Sequence, residues 1–222
     1  MTFTADAWAR TADLRAAVDA SPFVTQLGDG TLAPATFRHY LEQDVLYLAG
    51  YARALSLLAA RAPDAASAGF WSRSAHGAGL VETSLHADLL GSGALPAATG
   101  PAGPSPTTLG YTSYLVATAA TAPYAVGAAA VLPCFWVYAD VARRLARSAA
   151  AVGPEHPFAR WVAAYDDEAF HASAAAARDL VDAAAEAGGP VDAMHTAFAT
   201  ATRYELMFWD TAFAHEDWPA PL

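Results

Sequence analysis

The sequence predicts an all-α protein, and three observations lead to that class. Alanine dominates a composition that is 55% hydrophobic, and alanine is the strongest helix former among the amino acids. Proline and glycine, which end helices, are concentrated in a few short stretches of the chain. Between those stretches, apolar residues recur three and four positions apart, which is the spacing of a buried helix face. We therefore expect long amphipathic helices joined by short breaks.

Composition also limits the functions to consider. The chain has 222 residues, and we predict one helical domain over residues 1–222. Its 12 basic and 22 acidic side chains give a net charge of −10, which argues against a nucleic-acid or membrane-surface partner. Cys134 is the single cysteine, so an internal disulfide and a thiolate-cage zinc site are excluded. The N-terminus lacks a basic stretch followed by an apolar one, so we expect a soluble cytoplasmic protein.

The first half of the chain is predicted to contain three helices. The first spans Asp6–Ala20 and is capped by Thr4. Ser21–Gly30, which holds a proline and two glycines, is predicted to be a turn-rich connector. The second helix spans Pro34–Arg61 and begins with a proline, a favoured residue of the first helical turn. A third helix is predicted over Asp64–Leu90.

The second half begins with an irregular segment, Gly91–Pro106, which is predicted to be a surface loop or lid. A long helix, Ala125–Ser148, contains Pro133. That proline should kink the helix, because it has no N–H and clashes with the preceding turn. The other predicted helices of this half share the same apolar spacing. They span Thr107–Thr121, Phe158–Tyr165, Glu168–Glu186 and Val191–His215.

Cys134 directly follows the predicted kink in the long helix. Tyr138 is four residues further on and therefore lies on the same helix face. A lone cysteine in a core helix is more often a small packing residue than a reactive group, because cysteine is among the most buried residue types. The alternative is a reactive cysteine, presented beside a phenol by a bent helix. Evidence from other residues of the chain is needed to distinguish a packing cysteine from a reactive one.

Two carboxylates interrupt apolar helix faces elsewhere. Asp44 lies in the second predicted helix beside Tyr47, and Glu205 lies in the last. An ionised carboxylate on a core-facing stripe is costly unless several donors satisfy it. Asp44 is either a structural residue, paired with Arg53 or bonded to a neighbouring helix, or an acceptor for N–H groups of a ligand. Glu205 either pairs with a buried cation or has a raised pKa and carries a proton, and the scarcity of basic residues favours the proton.

Asp44, Cys134 and Glu205 each stand among aromatic side chains on a different predicted helix. An apolar, aromatic pocket with two carboxylates and a thiol suits a flat, nitrogen-rich heterocycle. One carboxylate would accept its N–H groups, the second would protonate a ring nitrogen, and the thiolate would add to a ring carbon. A non-catalytic binding protein could use the same pocket without the thiol. Helical periodicity alone does not establish that the three helices converge.

A metal site is a further alternative. Glu82 and His86 are four residues apart, a spacing that can bind a metal. Glu168 and His171 are three residues apart, and this second spacing is the one used by di-iron helical bundles. Such bundles need two Glu-x-x-His motifs and further glutamates, and this sequence has only one such motif. We therefore expect no metal, and a di-iron oxygenase is the weaker alternative.

Short motifs along the chain carry a resemblance to a known family. In order they are Ser21-Pro22-Phe23-Val24, Leu27-Gly28-Asp29-Gly30-Thr31-Leu32, Tyr40-Leu41-Glu42-Gln43-Asp44, Tyr47-Leu48, Ala52-Arg53-Ala54-Leu55, Tyr111-Thr112-Ser113-Tyr114-Leu115, Leu132-Pro133-Cys134-Phe135-Trp136-Val137-Tyr138, His156-Pro157, Trp161, Tyr165 and Glu205-Leu206-Met207-Phe208-Trp209. Together and in this order they are highly specific. The sequence resembles the TenA family, also called thiaminase II, over nearly its whole length, and Cys134 makes it similar to the cysteine-containing branch.

The resemblance implies a fold like that of haem oxygenase, an all-α up-and-down bundle. It implies a protein that is usually a homotetramer and that binds no haem, metal or other cofactor. It also implies a small-molecule pyrimidine substrate. Family members hydrolyse 4-amino-5-aminomethyl-2-methylpyrimidine to the 5-hydroxymethyl form, which salvages degraded thiamin, and they cleave thiamin into its pyrimidine and thiazole halves.

Residues that match the family's motifs also receive roles from the resemblance. They are Cys134 as nucleophile, Glu205 as proton donor to the ring, Asp44 as binder of the aminopyrimidine edge, Tyr47 and Tyr111 as assistants of the thiol, Tyr138 and Tyr165 as substrate contacts, and Phe208 as the stacking ring. Two departures are visible. Ser21 stands where members often have histidine, and Gly50-Tyr51 stands where phenylalanine is common, which leaves the substrate preference open. The Gly91–Pro106 loop and the tail after His215 fall outside the match.

Overall fold

The computed structural model of this chain describes residues 1–91, 95–97, 103–165 and 167–219, with the side chains of residues 81–86 excepted. Every regular element within these ranges is helical. In chain order they are α1 (Phe3–Arg10), α2 (Ala12–Ala20), α3 (Pro22–Asp29), α4 (Pro34–Arg61), α5 (Ala65–His76), a π-helical segment (Gly77–Glu82), α6 (Thr83–Gly91), α7 (Pro106–Thr121), α8 (Tyr124–Val152), α9 (Ala159–Tyr165), α10 (Glu168–Glu186) and α11 (Val191–Ala214). The all-α prediction is confirmed. Much of the predicted Gly91–Pro106 loop lies outside the described residues.

The first predicted helix is wrong in its continuity and in its cap. The chain divides at Thr11, whose hydroxyl donates to the Ala7 carbonyl at 2.9 Å, so α1 and α2 are separate helices. Thr2, rather than Thr4, caps α1 by accepting a hydrogen bond from a backbone N–H at 3.3 Å. Thr4 instead donates to Asp182 from its backbone N–H at 2.7 Å and from its hydroxyl at 2.8 Å. Its side chain therefore joins α1 to α10 instead of starting a helix.

The predicted connector Ser21–Gly30 is also wrong, because it contains α3. Pro22 occupies the first turn of that helix and Gly30 ends it with a left-handed φ of 77°. Both are favoured residues at these termini, so the turn signals in the sequence marked the ends of a short helix. Ser21 donates to Asp210 at 2.8 Å and thus ties the start of α3 to α11.

The third predicted helix is interrupted. It begins where predicted, because Asp64 caps α5 by accepting a hydrogen bond from the Ser67 N–H at 2.8 Å. The chain then changes from α to π geometry at Gly77 and returns to α at Thr83. A π segment forms its backbone hydrogen bonds between residues five apart instead of four, and such segments are frequent at functional sites. Here it lies beside the cavity described below.

Helix α8 is the centre of the fold and packs against α3, α7, α10 and α11. By length and composition it is the one helix of the described chain that could cross a membrane, but 78% of its most apolar window is buried in the protein. That burial is the pattern of a core helix. The helix continues through Pro133, and close to this point the Tyr51 hydroxyl of α4 donates to the Val131 carbonyl at 3.1 Å.

Helices α4 and α7 approach closely at Gly50. A Cβ atom at this position would lie 2.6 Å from Cβ of Thr112, so only glycine fits. The start of α7 is held from the other end of the chain, because Glu216 accepts the Thr107 N–H at 2.8 Å and the Thr107 hydroxyl at 3.1 Å. Helix α7 is therefore fixed both along its length and at its first turn.

Candidate active site

A cavity of about 250 Å³ lies between α4, α5, α7, α8, α10 and α11. Most of its wall is apolar or aromatic, with a few polar groups, which is the composition of a small-molecule site. Seven of the eight residues singled out from the sequence line it. They are Asp44, Tyr47, Tyr111, Cys134, Tyr138, Glu205 and Phe208. The tertiary fold thus brings together helices that the sequence could not place relative to one another.

Glu205 is the acid of this cavity. Its side chain lies on α11 and is 5% exposed. Burial raises the pKa of this carboxyl from 4.5 to about 7, while a hydrogen bond from Tyr111 works in the opposite direction. The Tyr111 hydroxyl donates to Oε1 of Glu205 at 2.6 Å. The carboxyl is therefore poised to give and take a proton near neutral pH, as a general acid must.

Asp44 lies on α4 and is also 5% exposed. The Tyr40 hydroxyl is 3.3 Å from its Oδ2, and the same hydroxyl is 2.7 Å from the Tyr138 hydroxyl. Two residues of the cavity wall, Asp44 and Tyr138, are thus connected through Tyr40, which is buried behind the wall. Arg53, the structural partner considered from the sequence, is exposed and lies nine residues further along α4, about 13 Å along the helix axis. Arg53 is therefore not the buried arginine that a structural pairing with Asp44 would require.

Cys134 lies on α8 and is only partly buried, with its side chain on the cavity wall. The thiol is therefore not sealed in the hydrocarbon core. Tyr47 and Tyr51 lie near enough for a charge on Cys134 to matter: burial is the first cause that raises the pKa of each phenol, and the charge on Cys134 is the second. Both phenols consequently stay protonated and can act as hydrogen-bond donors.

Tyr47 has a property that its neighbours lack. Its hydroxyl is buried and makes no hydrogen bond of good geometry among the described residues, although it lies close enough to the Tyr111 phenol to lower the pKa of that group. Its ring centroid is 4.9 Å from that of Tyr111 and 5.5 Å from that of Phe208. A buried unsatisfied hydroxyl is rare in native proteins, and here it lines a cavity that a ligand could enter.

Tyr165 is the one predicted site residue outside the cavity wall. It is buried, and its ring stands edge-on to Tyr138 with the centroids 5.0 Å apart. Tyr165 packs against the side of Tyr138 that faces away from the cavity. This position favours a packing role for Tyr165 over a direct contact with substrate.

Sequence reasoning also missed residues of the wall. Tyr51, which departs from the family motif and left the substrate preference open, lines the wall one turn from Tyr47 but was not among the predicted site residues. Arg73, Ser74 and Ser173 line the cavity as well, and nothing in the sequence distinguished them from an ordinary helix surface.

The two described residues of the di-iron alternative, Glu168 and His171, do not line this cavity. Glu168 is exposed at the start of α10, and neither it nor His171 lines the wall. The side chains of Glu82 and His86 lie outside the described residues. Within the part of the chain that is described, no group of three or more His, Cys, Asp or Glu side chains could hold a metal ion.

An all-α bundle whose central helices surround a thiol, two buried carboxylates and stacked aromatic rings defines a small-molecule site with the parts of a cysteine-based enzyme. The model of the TENA/THI-4/PQQC family matches residues 14–215, and the chain belongs to this family. The resemblance found in the sequence motifs is therefore confirmed.

Curated relatives agree with this placement. The chain is 33% identical over 205 residues to the aminopyrimidine aminohydrolase of Halalkalibacterium halodurans, with 89% of each protein covered. It is 32% identical over 201 residues to the aminopyrimidine aminohydrolase of Bacillus subtilis. It is 40% identical over 212 residues to the thiamine biosynthesis multifunctional protein ThiED of Corynebacterium efficiens. In that last comparison the match covers 95% of this chain but only 28% of the longer relative.

Solved structures give the same fold. A TenA homologue from P. horikoshii OT3 superimposes with a TM-score of 0.86 at 26% identity, covering 96% of this chain and 99% of the other. A domain from Shewanella denitrificans with a heme oxygenase-like fold superimposes with a TM-score of 0.69 at 15% identity, over 93% of this chain and 90% of the other. The haem-oxygenase-like bundle expected from the resemblance is confirmed.

Proposed function

We propose that this protein is a hydrolase of thiamin salvage that acts on 4-amino-5-aminomethyl-2-methylpyrimidine, releasing ammonia and the 5-hydroxymethyl pyrimidine, and on thiamin. One observation carries the proposal: the buried Tyr111–Glu205 hydrogen bond of 2.6 Å lies on the wall of the same cavity as the Cys134 thiol. A proton donor and a nucleophile are thus available to a single bound ring. The names of the relatives from Halalkalibacterium halodurans and Bacillus subtilis support the same substrate class.

The reaction begins with the pyrimidine at the buried end of the cavity. Asp44 accepts the N–H groups of the ring's 4-amino edge, and Phe208 stacks on the ring. Glu205 gives its proton to a ring nitrogen while the Cys134 thiolate forms a C–S bond to the adjacent carbon. The ring loses its aromaticity, and its electrons expel the 5-substituent. An ammonium substituent leaves as ammonia with the electron pair of the C–N bond.

The second half of the reaction reverses the covalent step. Expulsion leaves an exocyclic methylene conjugated with the ring, and water adds to that carbon and loses one proton to the released ammonia. The C–S bond then breaks, the thiolate leaves, and the proton on the ring nitrogen returns to Glu205. The ammonium form of the substrate and water have then become hydroxymethyl pyrimidine and ammonium. The Tyr47 and Tyr111 phenols stay protonated throughout, so they supply hydrogen bonds to the thiolate and to Glu205.

The test is the Cys134→Ser variant. We expect its rate of ammonia release to fall by roughly three orders of magnitude or more, because a hydroxyl is a far weaker nucleophile than a thiolate. Ser56→Ala is the control, since Ser56 is exposed on α4 and lies outside the cavity wall, and it should keep a rate near that of the wild type. Ammonia release by Cys134→Ser at wild-type speed would end the nucleophile assignment.

A thiol-labelling experiment separates the enzyme from a pyrimidine-binding protein on the same bundle. An activated Cys134 should react quickly at low pH with a thiol reagent, and hydroxymethylpyrimidine should block the reaction. An inert thiol would favour the binding protein. Rates on the aminopyrimidine and on thiamin, measured side by side, then rank the two substrates.

We also propose a cytoplasmic homotetramer. Exposed apolar side chains support a subunit contact, among them Leu109 of α7 and Met207 of α11, and the charged residues of the chain are few. Light scattering coupled to size-exclusion chromatography tests this assembly.

A further inference from the structure

The wall of the active-site cavity changes in character from one end to the other. At the deep end, Asp44 and Glu205 are each 5% exposed and face aromatic rings. The opposite end is formed by α5, the π-helical segment and α10, where every lining residue except the buried Ala78 is half-buried or exposed. This gradient of exposure identifies the end between α5 and α10 as the mouth. In the proposed reaction the deep carboxylates hold the pyrimidine, and we place its 5-substituent toward the mouth.

Arg73 is the cation at that mouth. It lies in the last turn of α5, is exposed, and lines the cavity. No other lysine or arginine belongs to the described wall. Several arginines elsewhere are held in ion pairs, such as Arg38 with Glu42 at 2.8 Å. Within the described part of the chain, the Arg73 side chain has neither an ion pair nor a hydrogen bond.

Two hydroxyls stand at the same end of the cavity. Ser74 follows Arg73 on α5, and Ser173 comes from α10, and both line the wall while half-buried. A guanidinium presents several N–H donors in a planar fork, and hydroxyls add donors that can rotate to suit an acceptor. This donor set matches the oxygens of a phosphate monoester or another oxyanion. A cationic ligand group would be repelled by the guanidinium, so this donor set does not suit a cation.

Room for such a group comes from the π-helical segment. Gly77 and Ala78 line the mouth with almost no side-chain volume, and nothing within 4 Å would meet a Cβ at Gly77. Larger side chains at these positions would narrow the passage beside Arg73. The small residues and the donor set thus occur together at one end of the cavity.

We propose that Arg73, Ser74 and Ser173 form an anion subsite that binds a phosphate carried on the leaving half of the substrate. The inference rests on the proposed function, because it places the pyrimidine at the deep end. The substrate class it assigns is a phosphate ester of thiamin, in which the cationic thiazolium is accompanied by an anionic tail. In its cleavage the thiazole nitrogen takes the electron pair of the C–N bond, and the phosphate takes no part in the chemistry.

Steady-state kinetics on thiamin and thiamin monophosphate provide the first test. The wild type should show a kcat/KM for the ester at least tenfold above that for thiamin, the fold-change expected of one charge-assisted hydrogen bond. In Arg73→Gln this ratio should fall to near one. Arg203→Gln removes an exposed arginine that does not line the cavity, so this matched control should keep the wild-type ratio. High ionic strength should lower the ratio in the wild type but not in Arg73→Gln.

Binding provides a readout that does not depend on turnover. Both ligands are titrated calorimetrically into Cys134→Ala and into Cys134→Ala with Arg73→Gln, and the ratio of their Kd values is compared. Tighter binding of the ester that depends on Arg73 supports the subsite even if the wild type turns over neither compound, which would count against the proposed function alone. Equal Kd ratios with and without Arg73, or a wild type that prefers unphosphorylated thiamin, would overturn the subsite.

Discussion

Replacing Glu205 by glutamine should make the protein more stable at neutral and alkaline pH. The side chain is buried, and burial raises its pKa from 4.5 to about 7. Between these values the folded protein retains a proton that the unfolded chain has released, so the free energy of unfolding falls as pH rises through this window. The pKa of Glu205 thus differs between the folded and the unfolded protein, and at about 1.4 kcal/mol per pKa unit this difference lowers the free energy of unfolding by about 3 kcal/mol. Glutamine has nearly the same shape, still accepts from Tyr111, and carries no charge to desolvate.

The measurement is the free energy of unfolding in urea at pH 4.5, 6 and 8, at one fixed protein concentration because subunit association adds to apparent stability. The quantity of interest is the stability of Glu205→Gln minus that of the wild type. It should rise by about 3 kcal/mol from pH 4.5 to 8, because only the wild type must bury a carboxylate at the higher pH. Other titrating groups are shared by both proteins and cancel in the difference.

Glu168→Gln is the matched control, since Glu168 is exposed at the start of α10 and its replacement should change stability little. The glutamine variant at 205 should also lose most of its activity while gaining stability, which separates catalysis from folding. A stability difference that stays flat between pH 4.5 and 8 would refute the raised pKa, and with it the assignment of Glu205 as the proton donor.

Three further predictions concern α4, α7 and the acid. Tyr111→Phe removes a hydrogen bond that favours the ionised form of Glu205, so the alkaline limb of the kcat/KM profile should move up by about one pH unit. Gly50→Ala should lower the free energy of unfolding by about 1–2 kcal/mol, because its Cβ would collide with α7 at 2.6 Å. Glu216→Ala should cost about 1 kcal/mol, because Thr107 loses the carboxylate that accepts its N–H at 2.8 Å.

Each of these variants has its own check. Gly110→Ala is the counterpart of Gly50→Ala, because its nearest neighbour would be the Tyr204 hydroxyl at 3.4 Å, and it should be neutral or stabilising by up to about 1 kcal/mol. An unchanged alkaline limb in Tyr111→Phe would contradict the coupling to Glu205. Equal urea midpoints for wild type and Glu216→Ala would show that the tail does not hold α7.

The sequence predicted long helices well where their terminal residues were unambiguous. Pro34 begins α4 as expected, and Gly188 follows the end of α10. It failed at short helices, because Pro22 and Gly30 mark a turn and the two ends of α3 equally well. The π segment escaped notice since its periodicity over Gly77–Glu82 is too short to distinguish from an α-helix.

The candidate site was likewise predictable from the sequence in part. The positions of Asp44 and Glu205 on apolar faces were visible from spacing, because a charge on such a face is costly. Whether the two would share a cavity with Cys134 depended on how α4, α8 and α11 pack, which no local pattern determines. Arg73 had no signal at all, since an arginine in the last turn of an amphipathic helix is the most ordinary of surface residues.

The π-helical segment has an evolutionary consequence. A π turn can absorb one residue inserted into an α-helix, whereas an inserted or deleted residue that is not absorbed in this way rotates the flanking turns by about 100° relative to each other. An unabsorbed one-residue indel within Gly77–Glu82 would therefore swing the side chains of α5 around the rim of the cavity. Helices α4, α7, α8 and α11, which hold the acid and the thiol, would keep their own register. Selectivity in this scaffold can thus diverge through a change of chain length at the rim, without touching the reacting groups.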